Sequence, residues 1–433
     1  MLKLAVPTFL VVGAGPTGIG AAVRLTELGV DHLLVDSADQ LGGMATSITD
    51  ADGFTWDLGG HVLHSHFAEF DDAVAACGVP MNQVTRNGWV WLHGDGPASL
   101  LPTPIQQQLT ELPTDLNHDA ALTNLADYYR NNFGAKLYDE FFGPYNYKMW
   151  TVPLDDIDHE WTSLRSGSAA PNVPTLALAG TMAPQSGTFP YPVGGTGALW
   201  QAIGDRLLKP ATVRLGVGVA EIDVPGRVAR LTDGSTVQYE YCVSSAPLTT
   251  AMGWLGLPTT TLTASAIFAV GLGVAGAPPA ALADKTWLYC PDPAVPWYRA
   301  TMLNNYDPGN AGAGRWNVLC EVPVLPGVDR TAADAVRETE ESLRALGLDP
   351  DLVVSRFCRY VPMGYPVPTL GRDDIVRAAD ERLRAHGFYS RGRFGGWRYE
   401  SCNQDYSYLQ GRQAVDAALS GGAEDVYWHP ERF

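Results

Sequence analysis

The first apolar run of the chain passes directly into a glycine-rich turn and then into a helical pattern. Phe9–Val12 predicts a buried parallel strand, and residues 19–28 predict a helix. Between them, Gly13-Ala14-Gly15-Pro16-Thr17-Gly18 has the GxGxxG spacing of dinucleotide-binding loops. The first glycine of such a loop permits a sharp turn, the second permits a pyrophosphate to approach, and the third permits tight helix packing. The opening segment therefore predicts a Rossmann-like fold.

A second short apolar run supports a nucleotide cofactor. Residues 31–35 predict another strand that leads into Asp36, and an acidic residue there accepts hydrogen bonds from an adenosine ribose. The pair Gly42–Gly43 follows, which is typical of FAD-binding flavoproteins rather than of NAD dehydrogenases. An ordinary α/β turn without a ligand is the alternative. The predicted FAD contacts in this region are Gly13, Gly15, Thr17, Gly18, Asp36, Ser37, Gly42, Gly43 and Met44.

The remaining periodicity divides the chain into three parts. Helical spacing over 120–129 and 135–142 dominates one part, a strand, glycine turn and helix recur over 191–207, and later strands alternate with a helix at 332–346. The predicted fold class is α/β, an FAD-binding Rossmann-like domain with an inserted helical segment and a mixed β-sheet substrate domain. The FAD-binding domain takes residues 1–90, 186–260 and 386–433, the helical segment 91–185, and the mixed-sheet domain 261–385.

The charge balance restricts the partners. Among 433 residues, Asp and Glu outnumber Lys and Arg 47 to 29, and the net charge is −18. This composition argues against nucleic acid and membrane as partners, and any phosphorylated ligand has to be held by local arginines. The six cysteines are scattered without a CxxC pair, which favours reduced thiols and a cytoplasmic location. His61, His64 and His66 lack further ligands at suitable spacing, so no metal is predicted.

Arginines set among aromatic residues and glycines are the main chemical signal outside the glycine loop. Arg299 follows Trp297 and Tyr298, and Arg391 and Arg393 lie in a glycine-rich turn. Guanidinium groups bind phosphate oxygens in a bidentate manner. Each such cluster alone is more typical of a protein core than of a site. Together, these clusters predict a diphosphate site beside the flavin.

Several longer stretches form a set that is far more specific than GxGxxG. They are Gly59-Gly60-His61-Val62, Pro144-Tyr145-Asn146-Tyr147-Lys148-Met149-Trp150, Gly194-Gly195-Thr196-Gly197, Trp297-Tyr298-Arg299-Ala300-Thr301, Tyr389-Ser390-Arg391-Gly392-Arg393-Phe394-Gly395, Trp397-Arg398-Tyr399 and Asn403-Gln404-Asp405. Together they resemble one known family, the UDP-galactopyranose mutases, and in particular their longer eukaryotic type. The resemblance covers nearly the whole chain.

The resemblance implies an isomerase that exchanges the six-membered and five-membered ring forms of a nucleotide-diphosphate sugar, with no net redox change. FAD is implied to act in its reduced form, with flavin N5 attacking the anomeric carbon to give a covalent flavin–sugar adduct. NADPH or NADH is the implied reductant, although the sequence has no second fingerprint for either. The oligomeric state stays open.

The resemblance also implies roles for individual residues. Those implied to be catalytic are His61, Arg299, Arg393 and Asn403. Those implied to bind substrate are Gln106, Phe141, Asn146, Trp150, Arg165, Tyr289, Arg299, Tyr365, Arg393, Tyr399 and Asn403. Those implied to bind the cofactor, beyond the glycine motifs, are Gly60, His61, Arg393, Asn403 and Gln404. Gln404 is placed at a helix N-terminus, whose partial positive charge favours an anionic reduced flavin.

The nucleotide side departs from the family pattern. Thr103 stands where the family commonly has a tyrosine, and residues 186–192 lack an amide and an arginine that the family commonly carries. Two interpretations stay open: other contacts hold uracil, or the base is a guanine and the sugar is one such as L-galactose. A larger purine needs the space that Thr103 leaves.

Two other functions compete with the mutase. An FAD-dependent amine oxidase or desaturase has a related fold and true redox turnover, and fold alone does not exclude it. The arginines and tyrosines placed for a diphosphate argue against it. A flavin-binding protein without activity is the second competitor, and the presence of His61, Arg299 and Arg393 argues against that.

Overall fold

The part of the chain that the computed structural model describes comprises residues 7–102, 116, 121–164, 187–401 and 403–433. Its strands are β1 (Phe9–Val12), β2 (His32–Val35), β3 (Ser47–Thr49), β4 (Thr55–Asp57), β5 (Met81–Thr85), β6 (Gly88–Trp91), β7 (Leu100–Pro102), β8 (Thr188–Pro192), β9 (Val213–Arg214), β10 (Val219–Asp223), β11 (Val228–Leu231), β12 (Thr236–Gln238), β13 (Tyr241–Ser244), β14 (Ala264–Ala275), β15 (Trp287–Tyr289), β16 (Arg299–Thr301), β17 (Arg315–Pro323), β18 (Val353–Pro366) and β19 (Phe388–Ser390).

The α-helices of the described residues alternate with these strands along most of the chain. They are α1 (Pro16–Leu28), α2 (Ala68–Cys77), α3 (Leu125–Leu137), α4 (Gly143–Trp150), α5 (Trp161–Leu164), α6 (Thr196–Leu207), α7 (Leu248–Trp254), α8 (Ala332–Arg344), α9 (Arg372–Arg384), α10 (Gly392–Gly395), α11 (Gln404–Ser420) and α12 (Asp425–Trp428). A π-helical turn, Tyr138–Phe142, joins α3 to α4. No described helix is long and apolar enough to cross a bilayer.

The glycine loop belongs to a five-stranded parallel sheet with the order β19-β13-β1-β2-β9. β1 lies in the middle, and all of its residues are buried, as expected for a parallel strand covered on both faces. α1 begins at Pro16 rather than at the predicted residue 19, because the fixed φ of proline suits the first turn of a helix. This sheet confirms the predicted Rossmann-like fold class.

Helix α11 packs closely along α1, and two glycines make that approach possible. A Cβ at Gly20 would lie 2.1 Å from the Tyr408 carbonyl oxygen, and a Cβ at Gly411 would lie 1.9 Å from the Thr17 carbonyl oxygen. The side chain of any other residue would push the two helices apart. The close packing holds the N-terminus of α11 near the glycine loop.

A seven-stranded mixed sheet with the order β18-β14-β17-β16-β15-β6-β7 forms the other main layer. β14 pairs antiparallel with β17 and β18, whereas β15 pairs parallel with β6. Short strands carry the chemistry: Tyr289 of β15 lies directly opposite Arg299 of β16, which lies opposite Glu321 of β17. The sheet therefore brings three polar side chains from separate segments into one row.

The structure moves several predicted boundaries. Residue 90, at which the first segment of the predicted FAD-binding domain ends, lies inside β6, a strand of the mixed sheet. The gap between the predicted helices 120–129 and 135–142 ends at a kink in α3, where Gly134 has a φ of 82°. The first predicted helix begins later than residue 120, because the Asn124 side chain accepts the Asp127 N–H at 2.9 Å. The sequence analysis did not predict α2, α7 or α9. The division into three domains stays a prediction.

Candidate active site

The turn between β1 and α1 is held by hydrogen bonds as well as by glycines. Asp36 accepts the Ala14 N–H at 2.6 Å through Oδ2 and the Ala38 N–H at 2.8 Å through Oδ1. The Gly42 N–H donates to the Ala14 carbonyl at 2.8 Å. A Cβ at Gly18 would lie 1.7 Å from the Gly13 carbonyl oxygen. Asp36 therefore shapes the loop, in addition to its predicted contact with a ribose.

A cavity of about 440 Å³ opens beside this loop and is called the loop cavity here. A Cβ at Gly15 would meet no protein atom closer than 3.8 Å, so packing does not require glycine there. The missing side chain instead leaves space next to backbone N–H groups, which suits the pyrophosphate of a dinucleotide. Predicted cofactor contacts that line this cavity are Gly13, Gly15, Thr17, Asp36, Ser37, Gly43, Met44, His61, Arg393 and Gln404.

A second cavity, of about 600 Å³, lies against the mixed sheet and is called the arginine cavity here. The two cavities share Met44, His61, Arg393 and Gln404, so they meet at these side chains. The predicted site residues that line the arginine cavity are Gly60, His61, Tyr289, Arg299, Tyr365, Arg393, Tyr399, Asn403 and Gln404. A cofactor that extends through the loop cavity would therefore reach a ligand in the arginine cavity near His61 and Arg393.

Arg299 is fixed by a carboxylate that the sequence analysis did not identify. Its Nε donates to Glu321 Oε1 at 2.6 Å, and Tyr298 donates its hydroxyl to Oε2 at 2.5 Å. Glu321 Oε1 also accepts the Gly60 N–H at 3.2 Å. Burial by itself would lower the pKa of Arg299, but the Glu321 carboxylate, together with smaller contributions from Tyr365, Tyr298 and Tyr145, raises that pKa on balance. The guanidinium is therefore charged and oriented, and 18% of its side chain stays accessible from the cavity.

Three tyrosines surround the same space. Tyr365 lies near both arginines: its hydroxyl is 3.4 Å from Arg299 Nη2, and its ring centroid is 5.8 Å from the Arg393 guanidinium carbon. Burial raises the pKa of Tyr289 and of Tyr365 to about 12, although Arg299 pulls both values down. Both hydroxyls therefore keep their protons near neutral pH and can donate to an anionic ligand. Tyr399 packs edge-on against Tyr365 with ring centroids 5.5 Å apart.

His61 stands where the two cavities meet. Burial, with further contributions from Arg393 and Arg299, lowers its pKa to about 3, so its imidazole is neutral near pH 7. Nδ1 is buried without a hydrogen-bond partner among the described residues. A buried polar atom of this kind is costly unless it is paired, and a ligand held across the two cavities would supply that partner. This atom and the open space beside Gly15 both fit a dinucleotide cofactor.

Helix α11 begins at Gln404, as predicted, with Asn403 as its N-cap residue. Gln404 Oε1 accepts the Trp200 indole N–H at 2.7 Å, which fixes the side chain at the junction of the cavities. The next residue, Asp405, is fully buried and accepts His66 Nδ1 at 2.7 Å. The helix end therefore presents partial positive charge toward both cavities.

Three residues implied to bind nucleotide lie behind the cavity wall. Phe141, Asn146 and Trp150 are fully buried and line neither cavity. Trp150 packs edge-on against Tyr365 and Tyr399, with centroid distances of 5.9 and 4.9 Å. In this arrangement Trp150 supports the tyrosines rather than facing the space between them. Their contact with nucleotide stays a prediction.

The remaining predicted positions either lie outside the described residues or do not line a cavity. Gln106 and Arg165, as well as Thr103 and Ser186, lie outside the described residues. Gly18 and Gly42 shape the loop without lining the cavity. Among the described residues, no group of three His, Cys, Asp or Glu side chains is placed to hold a metal ion.

Arg86 is a cavity residue that the sequence analysis missed. It lines the arginine cavity and stacks over the Phe189 ring at 5.3 Å, and burial lowers its pKa. Within the described ranges no carboxylate lies within ion-pair distance of it. Nothing around it in the sequence resembles a site, because Arg-Asn-Gly is typical of a turn. With Arg299 and Arg393 it gives the cavity three guanidinium groups against the two carboxylates of Glu321 and Glu400, in a chain of net charge −18.

A Rossmann-like sheet with a dinucleotide-binding loop, next to a mixed sheet that carries a cavity lined by arginines, is typical of cofactor-dependent enzymes. Residues 11–75 match the family model of the NAD(P)-binding Rossmann-like domain. The whole fold is similar to a solved reduced UDP-galactopyranose mutase, with a TM-score of 0.88, 32% sequence identity and 98% of both chains covered. The chain belongs to the UDP-galactopyranose mutase family and is an isomerase.

Oxidases share the architecture at much lower identity. A cyclohexylamine oxidase from Brevibacterium oxydans IH-35A matches with a TM-score of 0.68 at 13% identity, over 96% of this chain and 99% of that one. A putrescine oxidase matches with a TM-score of 0.68 at 12% identity over the same shares. At such identities the likeness shows the fold alone.

Proposed function

We propose that this protein is a flavin-dependent mutase that interconverts the pyranose and furanose forms of a nucleotide-diphosphate hexose. The observation that carries the proposal is the position of Arg299 and Arg393 on one cavity, which meets the glycine-loop cavity at His61. Two guanidinium groups and tyrosine hydroxyls suit a diphosphate, whereas an amine substrate, itself a cation, would be repelled by them. Family membership supports a nucleotide sugar as the substrate.

FAD is the proposed cofactor, and the loop cavity would hold it. Asp36 would accept from the ribose, and the backbone around Gly15 would approach the pyrophosphate. When bound and reduced, a flavin supplies an electron-rich nitrogen that can attack a sugar carbon. NADPH or NADH as the reductant is part of the proposal, and bleaching of the flavin on anaerobic addition of either cofactor tests it.

The protein's own contribution is to hold the diphosphate while its bond to the sugar breaks. The departing diphosphate gains negative charge, and donors that are already oriented favour that change. Glu321 orients Arg299, and burial keeps the hydroxyl protons of Tyr289 and Tyr365 in place. His61 stays neutral, so it can accept or donate a single hydrogen bond at the cavity junction without adding charge.

The nucleotide base is the open part of the proposal. A UDP sugar, with galactose as the hexose, follows the name of the similar solved enzyme. A GDP sugar such as GDP-L-galactose is the alternative, because Thr103 stands in place of a tyrosine. Calorimetric affinities for UDP and GDP distinguish the two, and tighter binding of UDP rejects the guanine alternative.

The function is tested with dithionite-reduced protein and a panel of nucleotide sugars that includes UDP-galactopyranose and GDP-L-galactose. We expect a furanose product from one of them by chromatography and NMR, no product from the oxidised protein, and no oxygen consumed per turnover. Oxygen consumption with an amine would support the oxidase alternative instead. Purified protein that takes up no FAD would contradict the whole proposal.

A further inference from the structure

A lysine outside both cavities is buried against the loop that joins two of the cavity strands. Lys148 of α4 has only 4% of its surface exposed. Its Nζ donates to the carbonyl oxygens of Cys290, Asp292, Val295 and Trp297, at 3.1, 2.9, 2.9 and 2.6 Å. An ammonium group has three N–H donors, so with four carbonyl acceptors one N–H is shared between two carbonyl oxygens. The geometry is that of a cation in a ring of carbonyl oxygens.

The loop that Lys148 holds begins and ends at cavity residues. Residues 290–298 connect β15 to β16, and Tyr289 and Arg299 stand directly opposite each other at the two ends. The Cys290 N–H donates to the Tyr298 carbonyl at 2.8 Å, which closes the loop at its base. The bonds from Lys148 draw together carbonyl groups spread along this loop, so the ammonium links the two ends of the loop.

We propose that Lys148 is a positioning residue for substrate binding: its ammonium folds the 290–298 loop so that Tyr289 and Arg299 face the arginine cavity together. Another residue of α4 supports Tyr289 and the residue that precedes Arg299. Tyr145 packs edge-on against Tyr289 and Tyr298, with centroid distances of 5.4 and 6.1 Å. Lys148 touches neither cavity, so it acts only through the loop.

Charge, and not packing alone, is what the ring of carbonyl oxygens requires. Within the described ranges, no carboxylate lies within ion-pair distance of Nζ. The charged or titratable groups that act on it are Asp292, Arg330 and the Cys290 thiol, and burial lowers the pKa of Lys148 to about 8. Loss of the proton would leave the carbonyl oxygens without their cation in a pH range where an arginine stays charged.

The first experiment compares Lys148→Met, Lys148→Arg and the exposed-lysine control Lys209→Met, each with oxidised FAD bound. The ligand is UDP, so this arm rests on the proposed function, and affinity is measured by calorimetry. Lys148→Met is expected to bind UDP at least tenfold more weakly with FAD content unchanged, and Lys209→Met to match the wild type. Equal UDP affinity in Lys148→Met and wild type overturns the inference, whereas wild type that binds neither UDP nor GDP contradicts the proposed function.

Chemical rescue separates the ammonium from simple packing. Lys148→Ala removes the stem beyond Cβ, and propylammonium has the length and the N–H donors to replace it. We expect propylammonium to restore most of the UDP affinity of Lys148→Ala, and tetramethylammonium, which carries charge without donors, to restore none. Equal effects of the two cations, or no rescue by either, would contradict the role of the ammonium group.

A pH series adds a readout that packing would not move. Above pH 8 the Lys148 ammonium loses its proton, whereas an arginine keeps its charge. The UDP affinity of the wild type divided by that of Lys148→Arg should therefore fall as pH rises through about 8. Titration of the ligand itself affects both proteins equally and cancels in this ratio. If the variants do not fold, hydrogen exchange of the 290–298 amides in the wild type, corrected for intrinsic rates, should show loss of protection over the same range. A constant ratio, or constant protection where no variant folds, rejects the inference.

Discussion

The two cavities are built in opposite ways. The loop cavity is centred on one local motif, where the important feature at Gly15 is a missing side chain, and residues between 218 and 254 and between 393 and 407 complete its walls. The arginine cavity is formed by long side chains from separate segments, including Tyr289, Arg299 and Tyr365 on three strands of the mixed sheet. The part of the loop cavity that suits a pyrophosphate is therefore local in sequence, whereas the arrangement of the arginine cavity depends on how distant strands pair.

The comparison also shows how the protein supplies positive charge in each place. At the loop cavity, N–H groups and the start of α11 provide partial charges. At the arginine cavity, full charges are needed, and each must be oriented by a neighbour, as Glu321 orients Arg299. Arg393 lines both cavities, so its full charge acts in the loop cavity as well as in the arginine cavity.

The largest effect is expected from the arginines. Arg299→Ala should weaken nucleotide-sugar binding roughly 10²- to 10³-fold, about 3 to 4 kcal/mol, because it removes a charged bidentate donor. FAD should stay bound, since Arg299 lines only the arginine cavity. Arg393→Ala should lower both substrate and FAD affinity. Calorimetry with UDP and the flavin absorbance of the purified variants measure the two effects.

The controls for this pair address folding. Arg206→Ala removes an exposed arginine of α6 and should leave both affinities unchanged. Arg299→Ala leaves Glu321 buried beside an empty position, so Arg299→Ala/Glu321→Gln is compared with it. Loss of FAD in the double variant would contradict the assignment of Arg299 to the arginine cavity alone.

A smaller effect is expected at the glycine loop, where backbone geometry matters. Gly18→Ala should destabilise the protein by about 3 kcal/mol and weaken FAD retention, because its Cβ would lie 1.7 Å from the Gly13 carbonyl oxygen. Denaturant unfolding and FAD release measure it. Gly253→Ala in α7 is the matched control, since its Cβ would meet nothing closer than 3.6 Å. Equal stability of the two variants would contradict the packing argument.

The smallest effect concerns His61 and pH. Its pKa is lowered to about 3 in the folded protein, below the ordinary 6.5, so the unfolded chain takes up the proton first. The stability that a neutral His61 contributes is therefore complete above pH 6.5 and is lost as pH falls toward 3. Between pH 7 and 5, the stability of wild type relative to His61→Asn should drop by about 1 to 2 kcal/mol.

Unfolding in denaturant at several pH values measures this difference, with the same saturating concentration of FAD in every sample. His93→Asn replaces an exposed histidine and provides the control, whose stability relative to wild type should change less over the same range. If the difference between wild type and His61→Asn is the same at pH 7 and pH 5, His61 is not held neutral by its surroundings.

The features that could be predicted from the sequence are those that depend on residues close together in the chain. The strand–turn–helix unit at Gly13–Gly18 was predicted because short spacings determine it, and the start of α11 at Gln404 was predicted through the family resemblance. Glu321 was missed, since one glutamate in an apolar strand carries no local signal, and only pairing with β16 brings it to Arg299. Lys148 was quoted within a family motif, but its four carbonyl partners lie more than a hundred residues away in the chain.

The sequence by itself determined that the chain has a dinucleotide-binding loop, an α/β fold and arginines able to hold a phosphate. Each of these depends on residue types at spacings of a few positions, where local sterics and charge suffice. Only the tertiary structure decided that Arg299 is oriented by Glu321, that Phe141, Asn146 and Trp150 lie behind the cavity wall, and that His61 joins the cavities. Strand register and helix packing determine those contacts, and both depend on several segments that are far apart in the chain.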